Sequence, residues 1–209
     1  MKTSTNLAER IGAAIITRID GKRAPDFVVG AGSPGGPYLR RWYITPWRRW
    51  RDQAETNPTR WNRCKAAAAR MLPNVYMHCF ERDDDDRALH DHPSWAMSYI
   101  LRGGYIEHTI AEGGIHRRTE YRPGSLRFMS TRHTHRIELF LVVFKPRSLG
   151  KTTFTFPLQL PDKRKCWTLF MFGPTVREWG FHCPHRGWVP WQEFTAEDKP
   201  GEVGQGCSE

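Results

Sequence analysis

The 209-residue sequence has no run approaching the roughly 18 consecutive apolar residues that a membrane helix requires, and Met1–Arg10 lacks the apolar segment of a secretory signal. Neither a spanning helix nor export is expected, so the reading is a cytoplasmic protein. Cysteine is scarce. Cys64, Cys79, Cys166, Cys183 and Cys207 are odd in number, scattered and never in a C-x-x-C pair, which argues against a disulfide framework or a four-Cys zinc knot. Reduced thiols are the expectation. No internal repeat is visible, which excludes solenoid and propeller arrays. Asp83–Asp86 lacks the spacing of a calcium loop and reads as a solvated turn.

Acidic residues are outnumbered 22 to 32, giving a net charge of +10 and pointing to an anionic partner. The imbalance is local: residues 1–75 hold 14 Lys/Arg and 5 Asp/Glu, and the remainder holds 18 and 17. The basic third contains Tyr38–Trp61, where Trp42, Trp47, Trp50 and Trp61 interleave with Arg40, Arg41, Arg48, Arg49, Arg51 and Arg60. Arginine neutralises phosphate and aromatic rings stack on unpaired bases, so Arg48, Arg49, Arg51, Trp47 and Trp50 are candidate nucleic-acid contacts. The same residues also suit structural sheathing, in which guanidinium groups cover tryptophan faces.

Apolar residues recur at helical spacing over Asn6–Ile19, and an alanine-rich helix is predicted from about Asn62 to Leu72, ended by Pro73. Gly30–Pro37 is expected to be a flexible connector. From residue 75 onward, short β-rich runs alternate with Gly and Pro. The predicted strands are Val75–Glu81, Ser94–Arg102, Tyr105–Ala111, Ile115–Tyr121, Ser125–Ser130, Arg136–Lys145, Thr152–Phe156, Cys166–Phe172 and Arg177–His182, with hairpin turns at Gly103-Gly104 and Gly113-Gly114. The organisation expected is a helix and connector at 1–37, a basic Trp-rich arm and helix at 38–74, a mainly β barrel or sandwich at 75–194, and a disordered tail at 195–209.

Two His-x-His pairs stand out, His90-Asp91-His92 and His133-Thr134-His135. Residues i and i+2 of an extended chain face the same side, so each pair can aim two imidazoles at one point, which suits Fe, Ni, Cu or Zn. His78 is a candidate for orienting a ligand imidazole, and Trp95 and Tyr99 for lining a pocket or for core packing. His108 and His116 are expected at the surface. Trp179, Trp188 and Trp191 are expected to form an aromatic lid.

His90-Asp91-His92 with Gly103 eleven residues on resembles the first cupin motif, and Pro123-Gly124 with His135 eleven residues after the glycine resembles the second. The resemblance covers about residues 76–182. It implies a double-stranded β-helix barrel, with the basic helical arm before it and a metal held by His90, His92 and His135. Ala96 and Met97 stand where the common pattern has a glutamate ligand, so the site resembles the three-His centre of thiol dioxygenases, with Glu107 and His133 as alternatives for completing the shell. LHDHPSWAMSYILRGGY and GPTVREWGFH are also similar to cupin-like proteins of bacterial and phage genomes. The resemblance implies a mononuclear Fe(II) oxygenase or dioxygenase, with Ni, Mn or Zn as other metals. Its substrate would be a small molecule or a nucleotide-like anion, and His133 and Glu107 would move protons. The alternative expectation is a non-catalytic binding module whose arm contacts nucleic acid or a protein; homo-oligomers are compatible with either.

Overall fold

The runs of β-branched and aromatic residues form strands, and the helices take the amphipathic segments that cover them. The computed structural model describes residues 7–33, 35–84, 88–141, 164–196 and 199–207. Among these the helices are α1 (Leu7–Ile16), α2 (Trp47–Thr56), α3 (Arg60–Met71) and α4 (Trp191–Phe194). The strands are β1 (Phe27–Val29), β2 (Leu39–Tyr43), β3 (Asn74–Phe80), β4 (Leu89–His90), β5 (Ala96–Arg102), β6 (Tyr105–Ala111) and β7 (Ile115–Tyr121), followed by β8 (Leu126–Met129), β9 (Arg136–Leu139), β10 (Cys166–Phe172), β11 (Gly180–Cys183), β12 (Gly187–Pro190), β13 (Thr195–Ala196) and β14 (Lys199–Val203). None of the helices among the described residues is long and apolar enough to cross a membrane.

The fold is mainly β and its ladders are antiparallel. A six-stranded sheet runs β1-β2-β3-β10-β5-β8, and two three-stranded sheets run β12-β11-β4 and β7-β6-β9. Leu39, Phe80, Ile100, Tyr105, Ile137, Leu139 and Cys166 form one core cluster, which ties the large sheet to β6 and β9. The other face of the large sheet supplies Trp42, Met77, Cys79, Leu101 and Trp167, which α1 covers with Ile16. β3 is therefore buried on both sides, because alternate residues project to opposite faces. Gly103 (φ +84°) makes the turn from β5 to β6, and a Cβ there would sit 2.3 Å from the Lys165 carbonyl oxygen.

Several expectations need correction. Gly30–Pro37 is no linker between independent units: it joins β1 to β2, which pair as a hairpin from Phe27↔Arg41 to Val29↔Leu39. α1 is part of the core, with Ile16 only 2% exposed. The Trp-rich arm is not purely helical, because Leu39–Tyr43 pairs along β3, and Trp42 is buried against Trp167 with ring centroids 5.3 Å apart. The tail expected to lack structure carries β13 and β14, and Cys207 is disulfide-bonded to Cys183. Reduced thiols hold for Cys64, Cys79 and Cys166. Of the Arg136–Lys145 run, Arg136–Leu139 is strand and residues 142–145 lie outside the described residues, as does the Thr152–Phe156 run.

Candidate metal centre

Three histidines converge because two chain segments form a single antiparallel bridge. His90 N–H donates to the His135 carbonyl at 2.9 Å and His135 N–H donates to the His90 carbonyl at 3.0 Å, so the two residues lie directly opposite each other. His92 follows two positions on and turns its ring to the same point. The ring centroids are 4.7 Å (His90–His135), 5.1 Å (His92–His135) and 5.3 Å (His90–His92) apart, and one ring nitrogen from each lies within 4.8 Å of the others. His92 Nε2 and His135 Nε2 face each other at 2.9 Å. Two metal–nitrogen bonds of about 2.1 Å at a right angle would hold their nitrogens about 3 Å apart, so these residues fit a metal ion.

Carboxylates stand behind two of the three rings. His90 Nδ1 lies 3.6 Å from Asp84 Oδ2, and His135 Nδ1 lies 2.7 Å from Glu107 Oε1, without hydrogen-bond angles and with no other partner. A carboxylate on the far nitrogen fixes ring orientation and leaves the other nitrogen free for a metal. Glu107 is 3% exposed. It also ion-pairs with Arg127 and contacts His133 Nε2 at 2.8 Å, and Glu107, His133 and His135 form a second group with metal-binding spacing. Burial holds the His92 and His135 imidazoles well below their ordinary pKa, and neighbouring histidines lower both further. The neutral ring is the form that ligates.

The residue between the paired histidines anchors them. Asp91, 2% exposed, accepts from Gly180 N–H at 2.9 Å and Trp188 Nε1 at 3.0 Å, and its carboxylate lies 3.0 Å from Arg177 Nη2 and 3.3 Å from His182 Nε2. β4 is thereby fastened to β11 on either side of the candidate ligands. Asp91, Asp84, Arg127 and Arg41 are site residues that sequence reasoning missed. Only the placement of Asp91 within the His-x-His pair offered a signal. Far from forming a solvated turn, Asp83 and Asp84 cap backbone N–H groups of β9, at Leu139 and Ile137, each at 2.7 Å.

Beside the triad lies a cavity of about 530 Å³, walled by aromatic side chains of β1, β3, β10, β11 and α4. Trp179 and Trp191 line it, stacked with centroids 5.9 Å apart, whereas Trp188 donates to Asp91 instead. His78 also lines the cavity; its Nε2 accepts from Arg41 Nε at 2.9 Å, and it does not touch a ligand imidazole through a hydrogen bond. Trp95 stacks on Phe128 and Tyr99 packs against the α1 cluster, so neither lines the cavity. His108 is buried and not superficial, held 2.8 Å from both His116 Nε2 and Glu138 Oε2; His116 is exposed. His182 contacts Asp91, and Cys183 is taken by the disulfide.

Trp42, Trp47 and Trp50 of the arm make internal contacts, whereas Trp61 is exposed. Trp47 donates to the Pro73 carbonyl at 2.7 Å and packs edge-on against Trp50 at 4.7 Å, while Lys65 of α3 sits over Trp50. Arg48 lies over Tyr43 and donates to its hydroxyl at 3.2 Å; Arg48 and Arg49 are exposed and Arg51 is half-buried.

No protein-family model matches the sequence, and no curated protein matches it. Among solved structures the chain is similar to cupin-fold proteins at low identity. One is the oxalate decarboxylase of Bacillus subtilis, at 14% identity, TM-score 0.37, covering 68% of this chain and 27% of that one. An oxalate oxidase matches at 11% identity and TM-score 0.39, covering 81% of this chain and 63% of that one. The DMSP lyase DddQ of Ruegeria pomeroyi matches at 18% identity and TM-score 0.30, covering 49% and 39%. This chain thus spans less than two thirds of the length of each of these structures.

Proposed function

We propose that this chain is a cupin-type mononuclear metalloenzyme, a double-stranded β-helix barrel in which His90, His92 and His135 hold a divalent metal, with Fe(II) preferred over Ni, Mn or Zn. Its substrate is a small organic molecule in the aromatic cavity, and the reaction type favoured is oxygenation. The observation that carries the reading is the convergence of three histidine nitrogens within 4.8 Å, beside that cavity. Held by these three imidazoles, a metal would supply Lewis acidity or, as iron, redox chemistry.

The chain's own residues then have separable tasks. Asp84 and Glu107 orient His90 and His135, and Asp91 fixes the backbone between His90 and His92. Glu107 is paired with Arg127 in the interior, which suits it to positioning. His133 is more exposed than either partner and is the better group to hold or pass a proton. The aromatic walls exclude water from the substrate. Trp47 and Trp50 are half-buried, pack on each other and are held by Pro73 and Lys65, which favours structural use of these rings over base stacking.

The test is metal content after purification without a histidine tag. Stoichiometric metal in the wild type, and its loss in His90→Ala, His92→Ala and His135→Ala with His116→Ala unchanged, is the expected result. Full occupancy in a His90→Ala/His135→Ala double variant would end the proposal.

A further inference from the structure

Two arginines, Arg41 and Arg82, line the cavity beside one carboxylate, Asp84. Of the charged groups lining it, Asp84 is bonded to Ile137 N–H and to the Tyr38 side chain and lies near His90. Arg82 donates to the Gly36 carbonyl and Ser33 Oγ, each at 3.2 Å, and lies over the Tyr38 ring. Arg41 likewise has no carboxylate within ion-pair distance among the described residues, and differs in what its side chain touches. Its guanidinium carbon rests 4.9 Å from the Tyr76 ring centroid and 5.9 Å from that of Phe27, and Nε donates to His78 Nε2 at 2.9 Å. No partner among the described residues occupies its two amino groups.

That one hydrogen bond decides the state of His78. Arg41 and His78 are directly opposed across the β2–β3 ladder. Because Nε2 accepts, the neutral imidazole carries its proton on Nδ1. His78 is 2% exposed, and Nδ1 has no hydrogen-bond partner. His78 Nδ1 is closed off from the cavity, so the donors that this wall offers a ligand are the amino groups of Arg41, which His78 holds in place through Nε.

We infer that Arg41, positioned by His78, forms the carboxylate-binding end of this cavity, and that the ligand is an organic monocarboxylate with an aromatic or similarly flat apolar body. The inference rests on the cavity being the substrate site proposed above. A planar carboxylate matches the two amino groups of one guanidinium. A very small diacid would leave most of the aromatic wall uncovered, since a volume of about 530 Å³ is that of a pocket for a larger molecule. The position of Phe170 supplies the link to the metal centre: its ring stacks on His78 at 4.8 Å and stands 6.4 Å from His92. A flat molecule lying along Phe170, with its carboxylate on Arg41, directs its other end to the His92–His135 pair.

The experiment is a calorimetric titration with a series of phenylalkanoates of one to four methylene groups, each paired with its neutral amide. It is run on the protein as purified and again after chelation, with near-ultraviolet circular dichroism as the control for folding. At least one carboxylate is expected to bind at least tenfold more tightly than its amide in both preparations. Arg41→Met should bring that carboxylate down to the affinity of the amide and leave the amide unchanged, and His78→Phe should weaken the carboxylate selectively. Four results would overturn the inference: no member binding at millimolar concentration, equal binding of acid and amide, carboxylate preference retained in folded Arg41→Met, or competition by inorganic phosphate at equal concentration. Carboxylate binding that disappears on chelation would place the anion on the metal and also overturn it. Failure of the wild type to take up metal, with carboxylate binding intact, would instead sink the metalloenzyme reading alone.

Discussion

Replacing Glu107 by leucine removes the anion from a pair in which Glu107 is 3% exposed and Arg127 is 6% exposed. The guanidinium then remains in the interior with Tyr105 Oη at 3.4 Å and His133 Nε2 at 2.6 Å, neither of which carries a negative charge to replace the carboxylate. Removing one partner of a buried ion pair costs about 3–5 kcal/mol, far above the ~1 kcal/mol of an exposed pair. For a chain of this size each kcal/mol moves Tm by roughly 2–4 °C, so the expected fall is on the order of 10 °C. The assay is thermal and urea unfolding with chelator present, so that lost metal binding does not contribute. Glu107→Leu combined with Arg127→Met should recover most of the loss, because the unpaired charge is then gone. In metal titrations Glu107→Gln should weaken affinity about 10- to 100-fold through His135, whereas His135→Ala should abolish binding. A single Glu107→Leu variant within about 1 kcal/mol of wild type would refute the buried-pair argument.

Deleting residues 1–37 removes α1 and β1, and the Ile16 cavity alone should cost at least ~2 kcal/mol, so loss of the cooperative unfolding transition is expected by circular dichroism. Acidification of the metal-free protein should destabilise it, because His78, His92 and His135 are held neutral when folded and take up protons near pH 6.5 when unfolded. Stability is then full above pH 6.5 and falls below it by about 1.4 kcal/mol per histidine per pH unit; urea midpoints at pH 7.5 and 5.5 measure this, and His135→Gln should reduce the difference. Reduction of Cys183–Cys207, which closes a loop of 24 residues, should lower stability by about 3 kcal/mol under reducing conditions at constant pH.

The legible parts of the fold were those with local signals. β6, β7 and β10 end at the residues that period-2 alternation and the paired glycines indicate, since a hairpin's register is set by its turn. The convergence of His90, His92 and His135 followed from strand parity and motif resemblance. β2 was hidden because Leu39-Arg40-Arg41-Trp42-Tyr43 does not alternate: Leu39 and Trp42 are buried on opposite faces, and composition suggested a charged arm. The placement of β10 between β3 and β5, the pairing of Cys183 with Cys207, and the opposition of Arg41 to His78 depend on contacts distant in sequence. No local periodicity carries that information.

The interleaving of β10 also sets an order of assembly. β3 ends at Phe80 and β5 at Arg102, yet the strand that pairs with both begins at Cys166. At about 5–20 residues per second, a ribosome exposes the facing edges of β3 and β5 for several seconds before their partner is made. Those edges carry open N–H and carbonyl groups beside Met77, Phe80 and Ile100, the combination that recruits foreign strands. All three candidate metal ligands precede Cys166 in the chain, so they emerge before the sheet that supports them can close. A nascent chain halted before residue 166 should therefore aggregate even though its histidine triad is complete, because the central strand that joins the two halves of the large sheet is still missing.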